Sequence, residues 1–155
     1  MKKDNDRRVI STNRRARFEY ELSDTWEAGL ILMGSEVKSL RRAGANLDDA
    51  WVGLDSRGRL ELLGAHIAPY LEANRYNHEP TRTRPLLLHK LEILRLRQKV
   101  RERGYTLVPL QLYFEGRWCK LEFALGRGKR LHDKRQSTRE AEDRREIQRA
   151  LRDRG

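Results

Sequence analysis

The chain has 155 residues, 37% of them charged, and a net charge of +11. This length suits one domain, and the charge predicts an anionic partner, with nucleic acid first and an anionic membrane surface second. The apolar runs AGLILM and LVPLQL are too short to span a bilayer, which weakens the membrane alternative. A single cysteine, Cys119, excludes an internal disulfide framework and favours the cytoplasm, with the thiol packed in a strand.

The predicted elements in the first half of the chain are short. Residues 1–15 are polar and basic and predict a loose, flexible arm. The alternation in FEYEL and the apolar WEAGLILM that follows predict two strands, and GSEVKSLRRAG predicts a short helix closed by Gly44. Two further strands, Trp51–Asp55 and Arg59–Ile67, flank the turn SRG and predict a hairpin.

The second half contains the clearest helical pattern. Residues 68–85 hold three of the four prolines and predict a long, functional loop. LLLHKLEILRLRQKVRERG then predicts a long helix that starts sharply after Pro85 and ends at Gly104. YTLVPLQLYF and RWCKLEFAL predict a final hairpin, with Pro109 at an edge or bulge. These elements predict a mainly β fold: a small antiparallel barrel of the OB-fold type over residues 16–126, with one long and one short helix. Such barrels often bind oligonucleotides.

The basic C-terminal tail, residues 127–155, has too few apolar residues to form a core. It does carry helix signals, because Ser137 and Glu140 have capping-box spacing and most later residues are good helix formers. An isolated helix of this length is marginal in water. We therefore predict a tail that is disordered alone and becomes helical on binding. The alternative is a solvated tail without a function.

Residue types suited to RNA occur in several places. Cations contact phosphates, while aromatic rings and amides contact unstacked bases. The candidates are Asn13, Arg14, Arg15 and Arg17 before the first strand; Glu36, Lys38 and Arg41 in the short helix; Arg75, Tyr76, Asn77 and His78 in the long loop; Lys129 at the junction; and His132, Asp133, Lys134 and Arg135 in the tail. Arg82 and Arg84 add charge directed at phosphates.

Several of these candidates have a structural alternative. The carboxylate of Glu36 either contacts RNA or stabilises the N-terminus of its helix. The basic residues before the first strand are equally compatible with a solvated arm, and Tyr76 with an anchor packed on the barrel. A buried core histidine is the alternative for His132, although its neighbourhood is very polar.

Six blocks of the chain together resemble a known family. In order and spacing, they resemble the signature blocks of the small protein B family, the SsrA-binding proteins. The six blocks are NRRARFEYEL, WEAGLILMGSEVKSLRRAGANL, HIAPY, NRYNHEPTRTRPLLLHKLEI, YTLVPLQLYF and GKRLHDKR. The resemblance extends from Val9 to about Leu151. It departs at Pro85, where the family usually has a basic residue, so one RNA contact is expected to be lost. It departs mildly at Arg127, in a junction that is usually rich in lysine.

The resemblance implies a non-enzymatic protein of trans-translation, the rescue of stalled bacterial ribosomes. It implies that the barrel grips the tRNA-like domain of transfer-messenger RNA (tmRNA, SsrA RNA), with Glu36 among the RNA contacts. It also implies that the block from His132 to Arg135 reaches ribosomal RNA at the decoding centre of the small subunit. The rest of the tail would be helical in the empty mRNA channel.

Further expectations concern partners and cofactors. The resemblance implies elongation factor Tu as an indirect partner on charged tmRNA. We expect a monomer, with no cofactor, no metal site and no membrane association.

Two other functions fit parts of the sequence. Four histidines and many carboxylates could build a nuclease, but no His/Cys pair has metal-ligand spacing and no nucleophile motif occurs. A general RNA-binding or ribosomal protein would share the charge, the barrel and the tail. It would bind any structured RNA with similar affinity, whereas the family implies a preference for the tRNA-like domain.

Overall fold

Seven strands and four helices make up the part of the chain that this computed structural model describes, residues 7–71, 77–101, 104–129 and 131–153. Side chains are described in all these ranges except at residues 131–134, 136, 137 and 153. In chain order the elements are β1 Arg7–Thr12, α1 Ala16–Glu19, β2 Tyr20–Leu30, α2 Gly34–Ala43, β3 Trp51–Leu54, β4 Leu60–Leu63, β5 Arg84–Leu87, α3 Lys90–Val100, β6 Tyr105–Glu115, β7 Trp118–Gly128 and α4 Leu131–Asp153.

The strands are antiparallel, and their pairing closes on itself. Strand β6 pairs with β7 along its length, and the order then runs through β2, β5, β4 and β3. Strand β3 in turn pairs with β6 through Val52 and Leu107, and this last pairing makes the sheet ring-like. Strand β1 pairs with residues 111–115 of β6, beyond the point where β3 leaves it.

The core lies inside this ring. Strand β7 follows the alternation expected of a strand with one buried face: Leu121 and Phe123 are buried, while Lys120 and Glu122 are only partly covered. The Phe123 ring stacks on Trp26 of β2, with ring centres 5.8 Å apart. Burial of each such side chain contributes about 1.5–3 kcal/mol, which makes β7 central to the stability of the fold.

The N-terminal part differs from its prediction in two ways. Residues 7–12, which the sequence assigns to a loose arm, form β1, and residues 1–6 lie outside the described residues. Arg7 fixes this strand: its guanidinium lies 3.8 Å from the centre of the Tyr113 ring and donates to Glu122 at 3.1 Å. The backbone of this segment therefore pairs with β6, while the side chains of Arg7, Arg8 and Thr12 stay exposed.

The two strands predicted before the short helix are one strand, β2. Its first predicted residues, Phe18 and Glu19, belong to α1 instead. Strand β2 pairs with β7 over nearly its full length. The register shifts between Leu22 and Thr25, at the polar residues Ser23 and Asp24 that suggested a break between two strands. The predicted bulge beside Pro109 is confirmed, because the β6–β7 register shifts between Pro109 and Gln111.

The predicted long helix is shorter than expected. It begins at Lys90 and ends at Val100, so α3 has 11 residues and α2 has ten. The segment before it is β5, in which Leu86 is 5% exposed and Leu87 is 61% exposed, the alternation of a strand. Pro85 lies inside β5 opposite Glu61, so the expectation that it starts the helix was wrong.

The tail forms the 23-residue helix α4, which would extend roughly 35 Å at 1.5 Å per residue. Its N-terminal end is anchored, because the amide of Lys129 donates to the carbonyl of Glu19 at 2.9 Å. Its described side chains are exposed or partly exposed. Disorder of the free tail, with helix formation on binding, remains a prediction.

Candidate nucleic-acid interface

Helix α2 presents its cations on one side and its polar and apolar anchors on the other. Ser35, Glu36, Ser39 and Leu40 are buried, whereas the basic residues of the helix are exposed. The helix ends at Gly44, whose φ of 73° is a conformation that glycine adopts without strain. The exposed basic residues are Lys38, Arg41 and Arg42.

Aromatic rings lie beneath these cations. Lys38 and Arg42 lie 5.6 and 5.3 Å from the centre of the Tyr70 ring, and Arg41 lies 5.3 Å from that of Phe114. Each exposed cation–π contact contributes about 0.5–1 kcal/mol and limits the freedom of a long side chain. The cations are therefore held over rings that keep them at the surface. Sequence reasoning missed Tyr70.

A cationic cleft forms where α2 meets β1. It has a volume of about 230 Å³, and its lining includes Arg8, Arg41, Arg42 and the Phe114 ring. Three arginines line this one small cleft, and their positive charge attracts a phosphate. Sequence reasoning did not assign Arg8 a role, because its position beside α2 follows only from the pairing of β1 with β6.

Glu36 lies inside the protein, where it joins two arginines of the long loop and β5. Its side chain and that of Arg84 are both 0% exposed, and the two form a buried ion pair. Arg82 donates to the other carboxylate oxygen at 2.5 Å, and the amide of Met33 donates to that same oxygen at 2.8 Å. Arg84 also donates to the carbonyls of Ala65 at 2.8 Å and Pro80 at 3.0 Å.

This buried cluster changes the interpretation of three predicted residues. In this conformation the carboxylate of Glu36 faces the interior, and its position matches the helix-stabilising alternative. The expectation that Arg84 is directed at phosphates was wrong, because its guanidinium is fully enclosed. Arg82 keeps a side chain that is 27% exposed, so the cluster holds one partly accessible cation at the surface.

The charges in the cluster depend on one another. Burial raises the pKa of Glu36, but hydrogen bonds from Arg82, the Met33 amide and Arg84 outweigh that effect and hold the pKa below its usual value of 4.5. Burial lowers the pKa of Arg84, and contact with Glu36 opposes this. Each charge therefore stabilises the other in a site from which water is excluded.

The end of the long loop is fixed by Asn77 and His78. The side-chain oxygen Oδ1 of Asn77 accepts from the backbone N–H of Tyr70 at 3.0 Å, and Nδ2 of Asn77 donates to the backbone carbonyl of Tyr70 at 2.7 Å. The buried ring of His78 bonds through Nε2 to the Ile67 carbonyl at 2.9 Å, so Nε2 carries the proton and Nδ1 accepts from the Ser35 hydroxyl, also at 2.9 Å. Both side chains position Tyr70 and α2. Arg75 and Tyr76 lie outside the described residues.

The residues before β2 divide into an anchor and a group of cations. Asn13 is buried, and its side-chain N–H donates to the Pro109 carbonyl at 2.9 Å. This gives the carbonyl at the β6 bulge a hydrogen-bond partner. Arg14, Arg15 and Arg17 are exposed, and Arg15 forms an i,i+4 ion pair with Glu19 at 3.5 Å. The structure therefore supports a structural role for Asn13 and accessible charge for the three arginines.

A second group of predicted residues lies at the base of the tail. Arg17 and Lys129 line a groove of about 640 Å³ together with Glu21, Glu122 and Glu140, so the charge of the groove is mixed. Arg135 is exposed on α4, and the side chains of His132, Asp133 and Lys134 lie outside the described residues. The structure thus groups the predicted residues into an α2–β1 surface and a tail-base surface, with Asn13, Glu36 and His78 beneath them.

The described residues contain no group of three or more His, Cys, Asp or Glu side chains that could hold a metal ion. Among the helices that the structure describes, none is both long and apolar enough to cross a membrane. Burial raises the pKa of the Cys119 thiol to about 12, so this group is unsuited to nucleophilic chemistry.

Comparison with known proteins matches residues 10–153 to the family described as SmpB protein. An SsrA-binding protein of Pelotomaculum thermopropionicum is 49% identical over 147 residues, covering 95% of each chain. One of Renibacterium salmoninarum is 51% identical over 153 residues, covering 99% of this chain and 97% of the relative. A solved structure described as "tmRNA-SmpB: a journey to the center of the bacterial ribosome" is similar with a TM-score of 0.66 and 42% identity, covering 84% of this chain and 95% of that one.

Proposed function

The chain belongs to the SmpB family of SsrA-binding proteins, and on that basis we propose that it binds tmRNA and acts with it in trans-translation on the ribosome. It is a non-enzymatic RNA-binding protein, so the nuclease alternative is set aside. At the level of residues, the proposal rests on the cationic surface of α2 and β1. Arg8, Arg41 and Arg42 line one cleft there, and Arg41 and Arg42 lie over the rings of Phe114 and Tyr70.

The folded body is the part that grips the tRNA-like domain of tmRNA in this proposal. We assign the ring-like sheet to an OB-type barrel, since α3 lies between strands β5 and β6 of a closed antiparallel sheet. Lys38, Arg41 and Arg8 contact phosphates, and Tyr70 supports the cations above it. Arg14, Arg15 and Arg17 contribute a second set of contacts beside Lys129, and Arg75 and Tyr76 of the long loop remain predicted RNA contacts.

Glu36, Asn77 and His78 act from below this surface. Glu36 holds Arg82 and the start of α2, while Asn77 and His78 fix Tyr70 and the end of the long loop. Their contribution to RNA binding is positional, since an RNA phosphate or base would meet the cations that they orient. Loss of one of these side chains would weaken RNA binding by displacing those cations.

The tail is proposed to probe the ribosome. His132, Asp133, Lys134 and Arg135 would lie at the decoding centre, with the ring of His132 stacked on a ribosomal RNA base and the cations on phosphates. The remainder of α4 would extend into the empty mRNA channel. The indirect contact with elongation factor Tu, the monomeric state and the cytoplasmic location remain predictions.

A competition experiment separates this function from general RNA binding. Labelled tRNA-like domain is bound by the protein and challenged with excess bulk tRNA. A preference for the tRNA-like domain is expected, whereas equal displacement by bulk tRNA would support the general RNA-binding alternative. The affinity should also fall by about 10³–10⁵ between 50 and 200 mM salt if about 6–10 phosphates are contacted.

A tail truncation separates the two proposed parts. Strand β7 runs to Gly128 and pairs there with Tyr20, so a truncated chain should end at Lys129 to keep the whole sheet. We expect this variant to retain most of its binding to the tRNA-like domain and to lose rescue of stalled ribosomes. Full rescue activity without residues 130–155 would contradict the role of the tail.

A further inference from the structure

The end of the β6–β7 hairpin carries an exposed tryptophan that the fold does not use. Trp118 is 64% exposed, whereas Trp26 packs on Phe123 in the core. An indole has a large apolar ring and a polar N–H, and tryptophan is enriched at protein interfaces. Trp118 is therefore a candidate contact residue, and its surroundings decide which partner would suit it.

The hairpin holds this ring in a defined place. Glu115 and Trp118 face each other across a loop of only two residues, Gly116 and Arg117. Gly116 has a φ of 60°, which suits a tight two-residue turn. Lys120 forms an ion pair with Glu115 at 2.6 Å, which ties the two strands together just behind the loop. A partner would therefore meet a ring that is already in position, with little loss of conformational entropy.

The charges around Trp118 favour a polyanion with flat rings. The guanidinium carbon of Arg117 lies 5.4 Å from the centre of the Trp118 ring. Arg7 and Lys120 lie on the same face of the sheet as Trp118, because Arg7 pairs with Glu115, Glu115 pairs with Trp118, and Lys120 follows Trp118 by two residues.

The nearby acids do not oppose this potential. Glu115 is paired with Lys120, and Glu122 with Arg7. An exposed aromatic ring beside Arg117, with the neighbouring Glu115 and Glu122 both in ion pairs, suits a nucleobase and its flanking phosphate better than an acidic or apolar peptide.

We propose that Trp118 is a stacking platform for an unpaired RNA base, with Arg117 contacting a phosphate beside that base. This inference rests on the proposed function, because it requires an RNA partner. The base belongs either to tmRNA or to ribosomal RNA, and the same stacking chemistry serves both because every base has a π-face.

Binding measurements on full-length variants test the proposal. Trp118→Leu removes the aromatic face and keeps an apolar side chain, Trp118→Phe keeps a smaller aromatic face, and Trp51→Leu is the control at another exposed tryptophan, 50% exposed on β3. Each is titrated with isolated tRNA-like domain and, separately, with purified ribosomes. We expect Trp118→Leu to weaken binding by about 5- to 100-fold in one arm, and Trp118→Phe to recover most of it. The arm that changes identifies the source of the base.

Fluorescence gives a direct readout of stacking. In a Trp26→Phe/Trp51→Phe variant, Trp118 is the remaining indole, and we expect its emission to be quenched by the RNA that it stacks on. Unchanged emission at saturation with both partners would overturn the proposal. Weaker binding to ribosomes with unchanged emission would indicate a ribosomal protein as the partner and would overturn it too.

The binding data can also overturn it in three ways. Wild-type affinity of Trp118→Leu in both arms would show that the ring is not recognised. Equal losses in the Leu and Phe variants would show that the π-face is not what matters, and an equal loss in Trp51→Leu would show that the effect is not specific to the hairpin. None of these results affects the proposed function, which fails only if the wild-type chain shows no preference for the tRNA-like domain.

Discussion

Replacement of Glu36 by Gln tests how the buried cluster stabilises the fold. The two side chains have nearly the same shape, so Glu36→Gln removes the negative charge without creating a cavity. Arg84 then remains 0% exposed without its counter-ion, and its acceptors are neutral: the carbonyls of Ala65 and Pro80 and, at best, the amide oxygen of the new glutamine. Arg82 also loses its charged partner.

The expected size of the effect follows from burial. Removing one partner of a buried ion pair costs about 3–5 kcal/mol, because the remaining charge is left uncompensated. For a chain of this length, 1 kcal/mol corresponds to a change in Tm of about 2–4 °C. We therefore expect Glu36→Gln to lower Tm by roughly 6–20 °C.

The pH dependence adds a second signature. The pKa of Glu36 is lower in the folded protein than its usual 4.5. The carboxylate therefore contributes stability that is fully present above pH 4.5 and is lost as the pH falls through the lowered folded pKa. The difference in stability between wild type and Glu36→Gln should accordingly shrink as the pH falls below 4.5.

Thermal unfolding from pH 7 down to pH 3, followed by circular dichroism, measures both effects. Glu61→Gln is the matched control, since Glu61 lies on β4 and no ion pair to it occurs among the described residues. The control should change the stability by no more than about 0.5 kcal/mol. A Tm for Glu36→Gln within about 2 °C of wild type at pH 7 would refute the reasoning, because that shift corresponds to less than about 1 kcal/mol.

Three further predictions concern other parts of the chain. Gly126→Ala should destabilise the protein by about 1–3 kcal/mol in urea unfolding, because the added Cβ would lie 2.8 Å from Val108 Cγ2. Gly128→Ala is the control and should leave the stability unchanged, because its Cβ would meet nothing within 4 Å. Equal losses of stability in the two variants would contradict the packing argument. Cys119 should resist a thiol reagent at pH 8 in the native protein and react fully in urea, because burial raises its pKa to about 12; rapid native labelling would count against this. A peptide of residues 131–153 should lack stable helix by circular dichroism in plain buffer and gain it with added RNA; stable helix without RNA would oppose coupled folding.

Elements whose signals are local were predictable from the sequence. Helix α2 occupies the predicted segment and ends at Gly44, and the hairpin of β3 and β4 turns around Gly58, whose φ is 78°. The β6–β7 hairpin turns at Gly116, and the bulge beside Pro109 occurs where the missing amide donor indicated it. In each case one or two neighbouring residues restrict the backbone, so no distant partner is needed to decide the outcome.

The sequence by itself determined the family, the basic character and the turns, whereas the tertiary structure decided which polar residues are accessible. Leu86 and Leu87 fit a helix equally well, and only the pairing of β5 with β2 and β4 makes them a strand. Glu36 and Arg84 lie 48 positions apart, and their buried ion pair exists because the ring of strands brings α2 and β5 together. Charge and composition are sums over residues that the chain carries in any conformation. Burial and ion pairing depend on contacts between distant segments, and those exist only in the folded protein.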